Sequence, residues 1–303
     1  MAELLPLRLE HGGRVAIHDG VLLCLFIREP HLVAAPSVGQ LYDRYVELVG
    51  AQSLRWYRGK DEWKALTPRQ RARLRGLMTA TTSRADVLVA IKGGEHADTE
   101  MVHGFDYWGD EAPSSTNEIA SFVELRFATE WVTERGLDAF AATAADLASC
   151  VRFSSGYASL AFHLEMHVGE LLDVLAFRHP GMDVHANEYT SSNIAERVRG
   201  AYWLTFVGPA ALAQLGHAPA ALRKLLGPAI AVDTVGDGVV IRAGDELRPG
   251  DTSHGDDLPL TRTVARVLEP ITLGKSCAFG FSSENSVETF AAWQRRHLSG
   301  STR

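Results

Sequence analysis

Apolar residues recur along this chain with two different periods, and the changes between them outline most of its elements. Residues 21–27, Val-Leu-Leu-Cys-Leu-Phe-Ile, form an unbroken apolar run. It is too short for a confident helix and suits strands, so it predicts a buried strand. Ser37 can cap free amides and Gln40 completes a capping box. Val38, Leu41, Tyr45, Leu48 and Val49 then follow at helical spacing until Gly50. That pattern predicts a helix over 37–49. Residues 68–80 set Arg69, Arg71, Arg73 and Arg75 around Leu74, Leu77 and Met78, which fits a surface helix with a solvated basic face. Residues 86–91 resemble a strand, and 123–127 alternate as a half-buried strand does. Leu137, Phe140, Ala144, Leu147 and Val151 carry a long helix in which Gly136 is the weak point.

Further along, 157–162 and 203–207 read as strands, with a helix between them at 171–176 and further helices within 209–226. Segments 229–235 and 239–243 flank Gly236-Asp237-Gly238, turn chemistry that closes a β-hairpin. Two last helices fit 260–268 and 287–298. Strands and helices mix without regular βαβ alternation. The expected class is therefore α+β, a mixed and largely antiparallel sheet with packed helices. The reading is a single domain over 1–303, with a division into two halves near residue 150 as the alternative.

Composition narrows the function. With 46% hydrophobic and 22% charged residues over 303 positions, the chain can bury a core. A formal charge of −7 repels a phosphate backbone and favours a basic protein partner over nucleic acid. Cys24, Cys150 and Cys277 form no CxxC pair and predict reduced, buried thiols. Residues 1–13 lack a signal-like apolar run and no later stretch reads as a membrane span, so the expected location is the cytoplasm, away from membranes.

Chemical signatures are sparse. His163, His167 and Glu170 would share a helix face at i, i+4 and i+7, and a metal-dependent hydrolase using these histidines is the alternative function. A third and fourth ligand are not supplied by that spacing. Glu62-Trp63-Lys64 has the acid-x-Lys form of some metal nucleases, but Gly59 and Lys60 upstream suggest a loop. Ser154-Ser155-Gly156 and Ser282-Ser283 lack a nucleophile elbow and read as turns. Neither a P-loop nor a dinucleotide fingerprint is present. The expectation is a protein without catalytic residues, metal or cofactor.

The most unusual stretch is 93–118. It holds Glu95, Asp98, Glu100, Asp106, Asp110, Glu111 and Glu118 with no Lys or Arg, and encloses Phe105-Asp106-Tyr107-Trp108. With Gly104, Gly109 and Pro113 nearby, it reads as largely irregular. Phe105, Tyr107 and Trp108 are candidate partner anchors, with Asp106, Asp110 and Glu111 steering a basic surface. The competing reading tucks the aromatics into the protein's own core. A second acidic loop, 245–257, is a lesser candidate.

Several segments resemble a known family. They are Arg178-His179-Pro180-Gly181-Met182-Asp183-Val184, Tyr202-Trp203-Leu204-Thr205-Phe206-Val207-Gly208, Arg242-Ala243-Gly244 with Pro249-Gly250-Asp251, and Ala265-Arg266-Val267-Leu268-Glu269-Pro270. Tyr45-Val46-Glu47-Leu48-Val49-Gly50, Ser53-Leu54-Arg55-Trp56-Tyr57 and Phe153-Ser154-Ser155-Gly156-Tyr157 belong to the same pattern. Together, over roughly 15–298, they resemble the type VI secretion immunity family associated with VRR-Nuc toxins. The resemblance implies a cytoplasmic, non-catalytic inhibitor that binds and neutralises a cognate nuclease effector. It carries over no functional residues, because the motif positions read as turns and core strands.

Overall fold

A computed structural model describes residues 7–81, 86–97, 99–111, 113, 116–165, 170–184, 187–274 and 286–298. The chain opens with β1 (Arg8–His11), the long β2 (Arg14–Ile27) and α1 (His31–Val49). Next come β3 (Trp56–Arg58), β4 (Trp63–Ala65), α2 (Pro68–Met78), β5 (Val87–Lys92), β6 (Gly104–Gly109) and β7 (Ser121–Phe127). Helices α3 (Thr129–Arg135) and α4 (Leu137–Ser149) lead to β8 (Phe153–Leu164), α5 (Leu171–Arg178), β9 (Met182–Val184) and α6 (Asn187–Ser191). The last part is β10 (Leu204–Val207), α7 (Pro209–Leu215), α8 (Pro219–Leu226), β11 (Ala231–Val235), β12 (Gly238–Arg242), α9 (Pro259–Leu268) and α10 (Ser286–Gln294). The class is α+β, as the mixed element order implies.

All the strands join one sheet in the order β11-β12-β10-β8-β2-β7-β6-β5-β3-β4, with β1 beside β2 and β9 beside β8. Among the described strand pairs only β8–β9 is parallel. The centre is the β2–β8 ladder, in which Ile17–Ile27 runs antiparallel to Leu164–Phe153. It lies between other strands on both sides, which is why 21–27 lacks polar alternation: Val21 through Ile27 are all buried. Strands from before and after residue 150 therefore share this sheet.

Side chains alternate between its two faces. On the first, Leu23, Leu25, Val123, Leu125, Phe105 and Tyr107 pack against Leu41, Tyr42 and Tyr45 of α1 and Phe140 and Leu147 of α4. On the second, Val207, Val239 and Ile241 at one end lie under Ala211, Leu222, Leu226, Val264 and Leu268 of α7, α8 and α9. In the middle, Leu22, Cys24, Phe26, Phe122 and Tyr157 are covered by Ile194 and Tyr202, from the segment between α6 and β10.

Several local expectations need correction. Helix α1 begins at His31, not at Ser37, with Pro30 as its N-cap and Pro36 inside. Pro36 removes one amide donor, yet the buried stripe extends back through Ala35, Ala34 and His31, residues too small or too polar to signal it. Gly50 does end the helix, at φ 82°. Gly136, at φ 86°, separates α3 from α4 instead of lying in one continuous helix. Strand β7 is buried on both faces, Glu124 included, so it is not half-exposed. Ser154 and Ser155 lie inside β8 and are not a turn. The 229–243 hairpin forms as expected, with Gly236 at φ 55°.

Candidate functional site

The acidic aromatic stretch is not irregular throughout: residues 104–109 are β6, paired with β5 on one side and β7 on the other. Period-2 alternation then divides its aromatics. Phe105 and Tyr107 are fully buried on the helix-covered face. Phe105 meets Tyr42 edge-on with ring centres 4.9 Å apart, and Tyr107 Oη lies 2.8 Å from His31 Nδ1. These two are core. Asp106 and Trp108 point to the second face and are only partly buried. At the end of the strand, Asp110 N donates to Ser121 Oγ at 2.9 Å and Asp110 O accepts from His31 N. Asp110 and Glu111 sit half-buried beside the start of α1. Burial holds the His31 imidazole below its ordinary pKa, a pull that Glu111 opposes.

On the second face Trp108 stands between Leu88 of β5 and Phe122 of β7, and Asp106 between Ala90 and Glu124. Here the covering layer stops. Phe122 and Glu124 are buried, whereas Leu88 is 60% exposed and Ala90, Asp106 and Trp108 remain partly open. Next to them the half-buried Trp63 lies under Lys92, whose Nζ is 5.0 Å from the ring centre. The β3–β6 quarter of the sheet thus presents an apolar strip to solvent, with Asp86, Asp110 and Glu111 at its Trp108 end.

Asp106 does not behave as a rim acid. Its Oδ2 accepts from Arg126 Nη2 at 2.7 Å, and Arg126 also meets the buried Glu124. Burial tends to lower the Arg126 pKa, but Asp106 and Glu124 outweigh it and keep the guanidinium charged. Glu124 Oε2 accepts from Asn187 Nδ2 at 2.6 Å, which leads into a second buried cluster. There Asp183 accepts from Arg199 Nη1 at 2.8 Å, Tyr157 Oη at 2.8 Å and Tyr202 Oη at 3.0 Å. Sequence reasoning missed this network. Asp183, Tyr157 and Tyr202 stood in three separate motif segments, and the signal available was that each is a polar residue inside a core motif.

The remaining sequence candidates are not brought together. His163 lies in β8 and so cannot share a helix face with Glu170; His167 lies outside the described residues. His163 instead stands across from His18, with ring centres 5.2 Å apart. Among the described residues no group of three or more His, Cys, Asp or Glu is placed to hold a metal ion. Lys64 lies in β4 and, among the described residues, its ion pair is with the exposed Glu62, at 3.2 Å. In the 245–257 loop, Asp251, Asp256 and Asp257 bind Arg178, Arg248 and Arg262. Cys24 is buried and Cys150 partly exposed, while Cys277 and Ser282-Ser283 lie outside the described residues. No helix among the described residues is long and apolar enough to cross a membrane.

Comparison with curated protein sequences gives no match. Among solved structures, the Pseudomonas aeruginosa T6SS protein PA0821 superposes with a TM-score of 0.81, over 96% of this chain and 87% of that one, at 20% identity. That likeness establishes the fold. A family model described as type VI immunity for VRR-NUC matches residues 37–297, a span that takes in the core helices, the sheet from β3 onward and the buried polar network. The chain belongs to this type VI immunity family.

Proposed function

We propose that this protein protects the bacterium that makes it by binding a VRR-NUC effector in the cytoplasm, and that it inhibits by contact, without catalysis or nucleic-acid binding. The family match over 37–297 carries this reading. The formal charge of −7 supports it, because a nuclease presents a basic groove to DNA. The docking surface in this proposal is the open β3–β6 quarter of the sheet. Leu88 and Trp108 are its apolar anchors, and Asp110 and Glu111 its acidic border. Phe105 and Tyr107 serve by holding β6 against α1, and Asp106 by fixing Arg126.

The test is co-expression with the cognate effector, followed by purification of both chains and nuclease assay. A stoichiometric complex with suppressed nuclease activity is expected. Rescue of cells without any complex sinks direct inhibition. For the surface, Leu88→Lys is the sharper probe because Leu88 is already 60% exposed and its change should leave folding intact. Loss of affinity of thirtyfold or so is the scale for a true anchor. Unchanged affinity in both Leu88→Lys and Trp108→Ala moves the surface elsewhere.

A further inference from the structure

A second feature lies away from the open quarter. A cavity of about 360 Å³ sits where the Pro180-Gly181 turn, the start of β10, the end of β12, the start of α9 and the segment after α10 converge. Its size is in the range of small-molecule sites. The walls include Tyr202, Trp203, Leu258, Pro259 and Leu260. Arg248, Arg296 and His297 also line it.

Of the two arginines that line it, Arg248 is paired with Glu246 and Asp256, whereas no salt bridge to Arg296 is formed among the described residues. Arg296 donates through Nε to Pro180 O at 2.7 Å and through Nη1 to Trp293 O at 3.1 Å, both neutral acceptors. Among the described residues its Nη2 has no hydrogen-bond partner, and neither has Nε2 of His297, a residue only 3% exposed. The guanidinium lies 3.9 Å over the Trp293 ring and 5.3 Å from that of Tyr202. The buried Asp183 nearby is already engaged by Arg199, Tyr157 and Tyr202. Burial pulls the Arg296 pKa down, and Arg199 adds to that pull against Tyr202 and Asp183. His297 is pushed well below its ordinary range by burial, so it is neutral near pH 7. Arg296 as a residue is only partly buried, with its Nη2 shielded from solvent, and a cation drawn partly out of water without an anionic partner is costly.

We infer that this cavity binds a monocarboxylate with an apolar body, its carboxylate seated against Arg296 and His297 and its stem against Trp203 and Leu260. A charge-assisted bond from the partly exposed guanidinium to the carboxylate would give Arg296 an anionic partner. Apolar walls favour a hydrocarbon or aromatic stem. The exposed Asp245 and Glu246 at the mouth disfavour a multiply charged phosphate and suit a neutral or cationic group beyond the stem. Free N-blocked amino acids and the C-terminus of a peptide share this chemistry.

Calorimetric titration of the full chain with N-acetylphenylalanine and with its amide tests the assignment, and involves no effector, so it stands or falls apart from the immunity reading. The acid is expected to bind at least about tenfold more tightly than the amide, the scale of one hydrogen bond to a charged group. Leu260→Trp fills the cavity without touching Arg296 and should abolish binding. Arg296→Met, provided circular dichroism shows it folded, should erase the preference for acid over amide. Equal binding of acid and amide, no binding of either, or unchanged binding by Leu260→Trp overturns the proposal. A tripeptide with a free C-terminal phenylalanine separates the two sources: tighter binding than the single residue identifies a chain terminus, weaker binding a free acid.

Discussion

The second face of the sheet contains two neighbouring regions built on the same strands and treated in opposite ways. In the middle, the segment from β9 to β10 covers β7, β2 and β8, and its buried Asp183, Asn187 and Arg199 form a network that reaches Glu124 of β7. One strand further on, that cover ends: Leu88 is exposed, and Ala90, Asp106 and Trp108 are partly open. A charged network thus lies under cover beside Leu22, Phe26 and Phe122, while Leu88 and Trp108 stand outside it, the reverse of what burial alone favours for those charges and those apolar side chains. The covered charges are tolerable because each is tied to others: Arg126 to Glu124 and Asp106, Arg199 to Asp183. The open apolar strip has no such internal account, which is what makes it the interaction surface proposed above.

The comparison breaks first if the covered network is dispensable. Arg199→Met leaves Asp183, 0% exposed, without its cation, and a stranded buried charge typically costs about 3–5 kcal/mol. Urea unfolding should show that loss in the midpoint. Adding Asp183→Asn should recover part of it. A loss under about 1 kcal/mol means the network is not what holds the cover down.

A smaller effect separates the two regions directly. Trp108→Ala removes a half-buried ring whose centre is 6.3 Å from that of Phe122, and should cost roughly 1–2 kcal/mol of folding stability. Leu88→Ala, on the neighbouring strand, should stay within about 0.5 kcal/mol of the parent. Should Leu88→Ala cost as much as Trp108→Ala, the strip is covered in solution and the contrast between the regions fails.

How far the sequence disclosed this arrangement depended on range. Where a pattern was local the reading held: the apolar run 21–27, the basic helix now seen as α2 and capped by Thr67, and the glycine-turned hairpin of β11 and β12. Residues 104–109 read as a loop because two glycines and an acid stand among the aromatics. A strand held between β5 and β7 tolerates those glycines where Met101 or Tyr107 packs close. Burial alternates along that segment, so the core reading holds for Phe105 and Tyr107, while Trp108 stands half-buried on the other face. Pairings such as Glu124 with Asn187, or Arg199 with Asp183, join residues whose closeness is set by the crossing of strands and not by spacing along the chain.

The smallest predicted effect concerns pH, at the other end of the β2–β8 ladder. His18 Nε2 lies 3.2 Å from Glu165 Oε1, while Glu165 also accepts from Met101 N at 2.7 Å and has Lys92 Nζ at 3.9 Å. Asp19, Glu100 and His163 border the same pair. Burial pulls the His18 pKa down, but the bonds to Glu165 and Asp19 prevail and hold it above 6.5. Burial pushes Glu165 up, but His18, Met101 and Lys92 prevail and hold it below 4.5. For His18, raised on folding, the contribution is complete below pH 6.5 and is lost as pH rises through the folded value. For Glu165, lowered on folding, it is complete above pH 4.5 and is lost as pH falls through the folded value. Both contributions are therefore present together between pH 4.5 and 6.5. Stability of the parent measured against Glu165→Gln should show its largest gap in that window, narrowing above it as His18 loses its proton and below it as Glu165 gains one. A gap that is flat from pH 4 to 8 would mean that the pair contributes only hydrogen bonding, with no linkage to protonation.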